Sequence, residues 1–203
     1  MTEKIQNKPS RAESIHQRRE LILETAVDCF VLKGFHQTSI RDIANKAGIS
    51  LGGFYNHFES KDALIEEIAV LEANELTEFE AGLLSAGDPA SALKRFSDEY
   101  LDYSQQPVSA VLTAQITAEA IRNPQIGKRF MTNRQRLAKA ILNLLTKGVG
   151  QEQFAQSASN IEVAGLLLDL IEGLALRSAF SGRKTSSASR KALHNMVQKI
   201  VNP

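Results

Sequence analysis

The chain has 203 residues and a mass of 22.3 kDa, is 43% hydrophobic and 23% charged, and carries 24 basic against 23 acidic side chains for a formal charge of +1. That balance fits a soluble globular protein of one large or two modest domains, and any nucleic-acid-binding surface on it must be local. One cysteine, Cys29, excludes an intramolecular disulfide and a cysteine-rich metal site; with no apolar run of membrane-spanning length and no signal-peptide core, a cytoplasmic protein is expected.

Residues 1–14 are polar and aperiodic, with Lys4, Lys8, Arg11 and Pro9. They read as a flexible basic arm, which either reaches into a minor groove or is simply an unstructured end. Ile22, Ala26, Cys29 and Phe30 then mark a helix from 15 to about 32 that Gly34 ends. Arg18 and Arg19 at its start meet a DNA backbone or face solvent.

The stretch from Thr38 to Phe58 reads as a helix-turn-helix. Thr38 is placed to cap the first helix, in which Ile40, Ile43, Ala44 and Ala47 form one apolar stripe while Arg41, Asp42, Asn45 and Lys46 face out. Gly48 supplies a left-handed stop, and Ser50 caps a second helix over Leu51 to His57. That second helix opens on Leu51, Gly52 and Gly53, a start that costs about 1 kcal/mol per glycine relative to alanine. Residues without side chains there let the backbone approach a phosphate or sit deep in a groove.

Ser60 caps a long helix to about Leu84, with Asp62 in its first turn. About twenty-five residues span roughly 37 Å, enough to join a head to a separate body. Between Glu59 and Glu80 lie eight acids and one lysine, Lys61, which keeps negative charge off a DNA-facing end or merely solvates a helical face. Asp88 and Pro89 open a helix to about 105, Pro107 and Pro124 punctuate two more over 108–121 and 125–147, and 148–156 is a connection. The run 159–162, Ser-Asn-Ile-Glu, has the form of a capping box before the most apolar helix, 161–180, where Leu166, Leu167, Leu168, Leu170, Ile171, Leu174 and Leu176 occupy more than one face. A helix apolar nearly all round is buried on both sides, so a twin subunit is the expected partner, with Leu166, Leu170 and Leu174 at the interface. The last helix, 187–201, adds Leu193 and Val197 to that surface; residues 183–203 contain no acid.

The run Ser50-Leu-Gly-Gly-Phe-Tyr-Asn-His-Phe58, followed by Ser60-Lys-Asp-Ala-Leu64 and preceded by Thr38, Ile40, Ile43, Ala44, Ala47 and Gly48, resembles the DNA-binding domain of the tetracycline-repressor (TetR) family. The resemblance covers about the first third of the chain. It implies that Thr38, Tyr55, His57 and Lys61 contact phosphates while Arg41 and the exposed face of the second helix, with Ser50, Leu51, Gly52, Gly53 and Asn56, approach the bases. One departure is Leu51, at a position often basic in relatives. Base reading then falls on Arg41, Tyr55 and Asn56, or on contact of Leu51 with a thymine methyl.

The expected protein is all-α: an arm (1–14), a helix-turn-helix domain (15–60) and a helical ligand-binding and dimerisation domain (61–203). The reading is a homodimeric regulator that binds double-stranded DNA, acts as a repressor, and leaves a palindromic operator when a small-molecule effector binds. Tyr100, Tyr103, Thr113, Gln115, Thr117, Met131 and Arg134 are the candidate effector contacts, a sparse polar lining suited to a moderately apolar ligand. An enzyme is argued against, because His16, His36 and His57 lie in the head and His194 near the end; no metal and no cofactor is expected. The alternative is a helical adaptor that binds protein and not DNA.

Overall fold

The computed structural model describes residues 11–202, so the arm's first ten residues lie outside it. Among the described residues there are nine α-helices, one short 3-10 turn and no strand. They are α1 (Arg11–Lys33), α2 (Ile40–Lys46), α3 (Leu51–Tyr55), α4 (Lys61–Leu84), α5 (Pro89–Ser104), α6 (Pro107–Arg122), α7 (Pro124–Gly150), α8 (Ile161–Ser181) and α9 (Ser187–Val201). Residues 11–14, expected in the arm, are the first turn of α1. Nothing after Pro9 breaks the helix, and Glu13 suits its positive N-terminal end.

The chain divides into two compact units, one through Ile68 and one from Ala69, so the boundary falls inside α4 and not at residue 60. The first turns of α4 go with the first unit because Lys61 bonds back to the carbonyls of Phe35 and Thr38, and Glu67 to Arg19. Ile22, Ala26, Phe30, Ile43, Phe54, Phe58 and Leu64 fill this unit's core, and Cys29 is buried beside them. Burial pushes the Cys29 thiol up, so it is a packing residue and not a nucleophile.

In the second unit, α5, α7 and α8 pack around Leu93, Phe96, Leu101, Leu137, Ile141, Leu144, Leu167, Leu168 and Ile171. Asp88 caps α5 through the Ser91 amide with Pro89 in the first turn, as the sequence implies. Helix α7 outruns its expected end at 147. Val149 continues its apolar period, and the helix ends at Gly150, shortly before Glu152, whose φ is +58°. Phe154 then folds back against Gly148, where a Cβ would stand 2.1 Å from the ring. The cap of α8 is Asn160, whose side chain accepts from the Glu162 amide. Ser159 instead pairs with Thr146, so the expected capping box does not form.

Candidate nucleic-acid interface

In the first unit, Gly34 (φ +84°) ends α1 and turns the chain toward α2. The cap of α2 is Ser39, not Thr38. Its hydroxyl accepts from the Asp42 amide at 3.1 Å while Asp42 accepts from the Ser39 amide at 2.9 Å, a reciprocal capping box. Those bonds, first of all the one from the Ser39 hydroxyl and then the Lys33 contact, hold the Asp42 carboxyl well below the usual carboxylate range. After α2, Gly48 (φ +67°) lets the Ile49 amide reach the Ala44 carbonyl at 3.0 Å. Ser50 caps α3 through the Gly53 amide at 3.0 Å. Phe54 and Phe58 are buried with their ring centroids 5.8 Å apart, which pins one side of α3 and turns Leu51, Gly52, Tyr55 and Asn56 outward.

The residues expected to meet DNA therefore separate. Arg41, Ser50, Leu51, Gly52, Asn56 and Tyr55, the last 51% exposed, lie on the surface, whereas Gly53 and His57 are half-buried. Thr38 is 1% exposed, and its hydroxyl donates to the carbonyls of Cys29 and Gly34. It closes the end of α1 and presents nothing to a phosphate. The Lys61 ammonium donates to the carbonyls of Phe35 at 2.8 Å and Thr38 at 3.1 Å and stands 4.3 Å from the Phe35 ring centroid. It too braces the head from within. Arg19 donates to the His57 carbonyl at 2.6 Å, pairs with Glu67 at 2.9 Å and lies over Phe58 at 4.2 Å, so it is a strut and not a backbone contact. Lys33 and Lys46 pair with Asp42 and Asp28. Among the described residues of this unit, Arg11, Arg18 and Arg41 are exposed guanidiniums with no ion-pair partner, which leaves them the open positive charges.

The glycines of α3 differ in kind. A Cβ on Gly53 would stand 3.3 Å from the Ser50 hydroxyl, so packing within the head favours glycine there. On Gly52 it would meet only that hydroxyl, at 4.0 Å. Nothing inside the head requires Gly52.

In the second unit, three of the candidate effector contacts converge. The Tyr100 hydroxyl donates to Glu172 at 3.0 Å, and Arg134 reaches the same carboxylate at 3.3 Å and Asp169 at 2.5 Å. The Tyr103 hydroxyl donates to Glu75 at 2.5 Å, and its ring stacks on Tyr100 at 6.1 Å. Burial, with the carboxylates beside them, drives both phenols up. Thr113, Thr117 and Met131 are exposed and Gln115 half-buried, so α6 does not present its polar residues as a single inward face. The periodicity of that helix could not separate inward from outward, since Thr, Gln and Ala suit either. Reasoning from sequence missed Glu72: half-buried, bonded by the Asn133 amide at 2.8 Å and facing Glu172 and Glu75, its carboxyl is pushed up to about 7, mainly by desolvation. An acid inside a long acidic helix gave no sign that it turns inward.

Of the expected interface residues, Leu166 is 48% exposed and Leu170 and Leu174 are half-buried. Leu193 and Val197 are buried in their own unit's core, at 6% and 3% exposure. The apolar stripe of α9 packs inward; besides Leu166 the outward large apolar groups of α8 and α9 are Ile161, Leu176, Phe180 and Met196, with Phe180 86% exposed. No helix among the described residues is long and apolar enough to cross a membrane, and no three His, Cys, Asp or Glu side chains there are grouped to hold a metal.

Comparison with known proteins agrees with this anatomy. Residues 22–68 match the bacterial regulatory proteins of the tetR family, and residues 89–202 match the C-terminal domain of BetI-type transcriptional repressors. The HTH-type transcriptional regulator BetI of Yersinia pestis is 27% identical over 190 residues, covering 91% of this chain and 93% of its own. The solved structure of Salmonella enterica GusR superposes with a TM-score of 0.79 at 23% identity, over 96% of this chain and 99% of that one. That of the transcriptional regulator FadR from Bacillus subtilis in complex with stearoyl-CoA superposes at 0.75 with 16% identity, over 90% and 97%. The chain therefore belongs to the TetR family of DNA-binding transcriptional regulators, which are not enzymes, and its second unit is of the BetI type.

Proposed function

We propose that this regulator is a homodimeric repressor that reads a palindromic operator and releases it when a small molecule enters the body. The unit ending in the first turns of α4 is the DNA-binding domain, and the rest binds effector and twin subunit. The observation that carries the reading is the outward set Arg41, Leu51, Gly52, Tyr55 and Asn56, held on a head whose other cations are mostly engaged internally. Arg41 and Asn56 supply base-edge donors, Leu51 an apolar contact, and Tyr55, Ser50 and Arg18 phosphate contacts; half-buried Gly53 and His57 frame the segment.

A helix of five residues buries too little for tight binding alone. Two copies related by a two-fold axis would place their recognition helices in successive major grooves about 34–36 Å apart, or a multiple of it. The partner surface is Leu166, Leu170, Leu174, Leu176, Phe180 and Met196, large side chains on α8 and α9 that are exposed or half-exposed. The effector site is the cluster of Tyr100, Tyr103 and Arg134 with Glu72, Glu75 and Glu172. That a relative of the same fold was solved with an acyl-CoA supports a ligand in the body. A ligand favouring a body in which the heads are wrongly spaced lowers operator affinity by its differential affinity, commonly about 1–3 kcal/mol. Operator release of this kind takes place in the cytoplasm.

The test is fluorescence anisotropy on the DNA flanking the protein's own gene across a salt series, with an unrelated duplex as control. One dimer bound per site, selectively and with steep salt dependence, is the expected result. Equal weak binding to both duplexes, together with failure of genome-wide DNA selection to yield a site, would remove it.

A further inference from the structure

The acid-free run 183–203 carries five lysines and arginines besides His194, and the structure shows where their charge goes. Arg190 crosses from α9 to α5 and pairs with Asp98, at 3.5 Å, and with Asp102. His194 Nε2 stands 3.1 Å from the same Asp98 oxygen with no hydrogen bond between them. The two acids of α5 on this side are thus both matched by Arg190. Lys94 on α5 and Lys191 on α9 remain, and among the described residues neither has an ion-pair partner.

These two lysines line one cavity of about 310 Å³ together with Ser97, His194, Asn195 and Gln198, over Val197. No acid lines it. The Ser97 hydroxyl is already engaged with the Leu93 carbonyl, so the groups on offer are two ammoniums, an imidazole and two carboxamides. We propose that this cavity binds a small molecule through an anionic group, a carboxylate or a phosphoryl oxygen. Lys94 and Lys191 grip it from two different helices, and Asn195 and Gln198 donate the neutral hydrogen bonds. At about 100° per residue, Met196 lies roughly 200° around α9 from His194, so this flank is separate from the outward apolar one. The site is independent of the effector cluster at Tyr100 and Arg134. A bound anion would tie α5 to α9, stabilising the body by mass action.

The test is isothermal titration calorimetry on the full chain with inorganic phosphate and, separately, with acetate, at fixed ionic strength. Saturable binding at one site per chain is expected for at least one probe, and the probe that saturates identifies the anionic group. Affinity should fall at least roughly ten-fold in Lys94→Gln/Lys191→Gln, as loss of charge-assisted bonds implies, and hold in Lys139→Gln/Lys199→Gln, which removes the same charge elsewhere. Circular dichroism checks that both variants fold. Absence of saturable heat with either probe, or equal weakening in both variants, would overturn the proposal.

Discussion

The Lys61 ammonium sits 4.3 Å from the centre of the Phe35 ring and donates to that residue's carbonyl at 2.8 Å, so a side chain placed by resemblance on a phosphate is holding the head together. Lys61→Ala should then weaken operator binding by loosening the turn before α2. Stability should fall by about 1–2 kcal/mol, the scale of charge-assisted bonds to partly buried carbonyls. The slope of log affinity against log salt should be unchanged. Arg18→Ala should do the reverse, leaving melting temperature within error and lowering the slope by about one for each phosphate that the guanidinium neutralises. A reduced salt slope in Lys61→Ala would return that lysine to the DNA.

Gly52→Ala separates folding from function in one substitution. The added methyl meets only the Ser50 hydroxyl, at 4.0 Å, so the head should gain up to about 1 kcal/mol from propensity. Operator affinity should nevertheless drop, because the methyl stands where DNA approaches. Anisotropy and thermal melts on the same preparation check both signs, and unchanged affinity would place Gly52 away from the DNA.

Phe180→Asp and Leu166→Asp should each convert a dimer into a folded monomer, measured by sedimentation velocity. Within one chain Phe180 is largely and Leu166 about half in water, so helicity should not change. A dimer that survives both would move the interface off α8.

Glu72 gives the body a pH signature. An acid whose folded pKa lies near 7, above the ordinary 4.5, binds more protons folded than unfolded, so stability falls as pH rises from about 4.5 to 7 and stays lower above. The acids held low, Asp42, Asp88 and Asp102, act in the opposite sense and only as pH falls through the carboxylate range. Glu72→Gln keeps an acceptor for Asn133 and should raise stability at pH 8 by on the order of 2 kcal/mol, with little effect at pH 4.5. Denaturant melts at the two pH values decide it.

Gly148→Ala tests the end of α7. Its Cβ would stand 2.1 Å from a ring carbon of buried Phe154, so overpacking of about 1–3 kcal/mol should outweigh the helix-propensity gain of about 1 kcal/mol. A higher melting temperature would mean that Phe154 gives way freely.

What was legible in the sequence was whatever is fixed locally. Gly48 and Ser50 marked the helix-turn-helix, and Asp88 with Pro89 marked the start of α5, because a cap or a left-handed turn depends on a few neighbouring residues. Thr38 and Ser39 are adjacent hydroxyls equally fit to cap, and only the way the turn folds back onto the Cys29 and Gly34 carbonyls at the end of α1 decides which is buried. The same limit applies to Lys61, Arg19 and Glu72, whose partners lie 23 to 61 residues away. In α9 the stripe of Leu193 and Val197 was visible, but periodicity gives spacing and not the direction in which a face points.

Asn133 also donates to the Ala69 carbonyl, at 2.8 Å, while holding Glu72 one turn further along α4. Two directional bonds from one buried amide act as a detent between α4 and α7. Gliding by an ångström does not stretch them gradually but breaks both and strands the amide, at about 1–3 kcal/mol. Slippage of α4 along α7 should accordingly come as a click between discrete registers, with a threshold, and not as a proportional response to load.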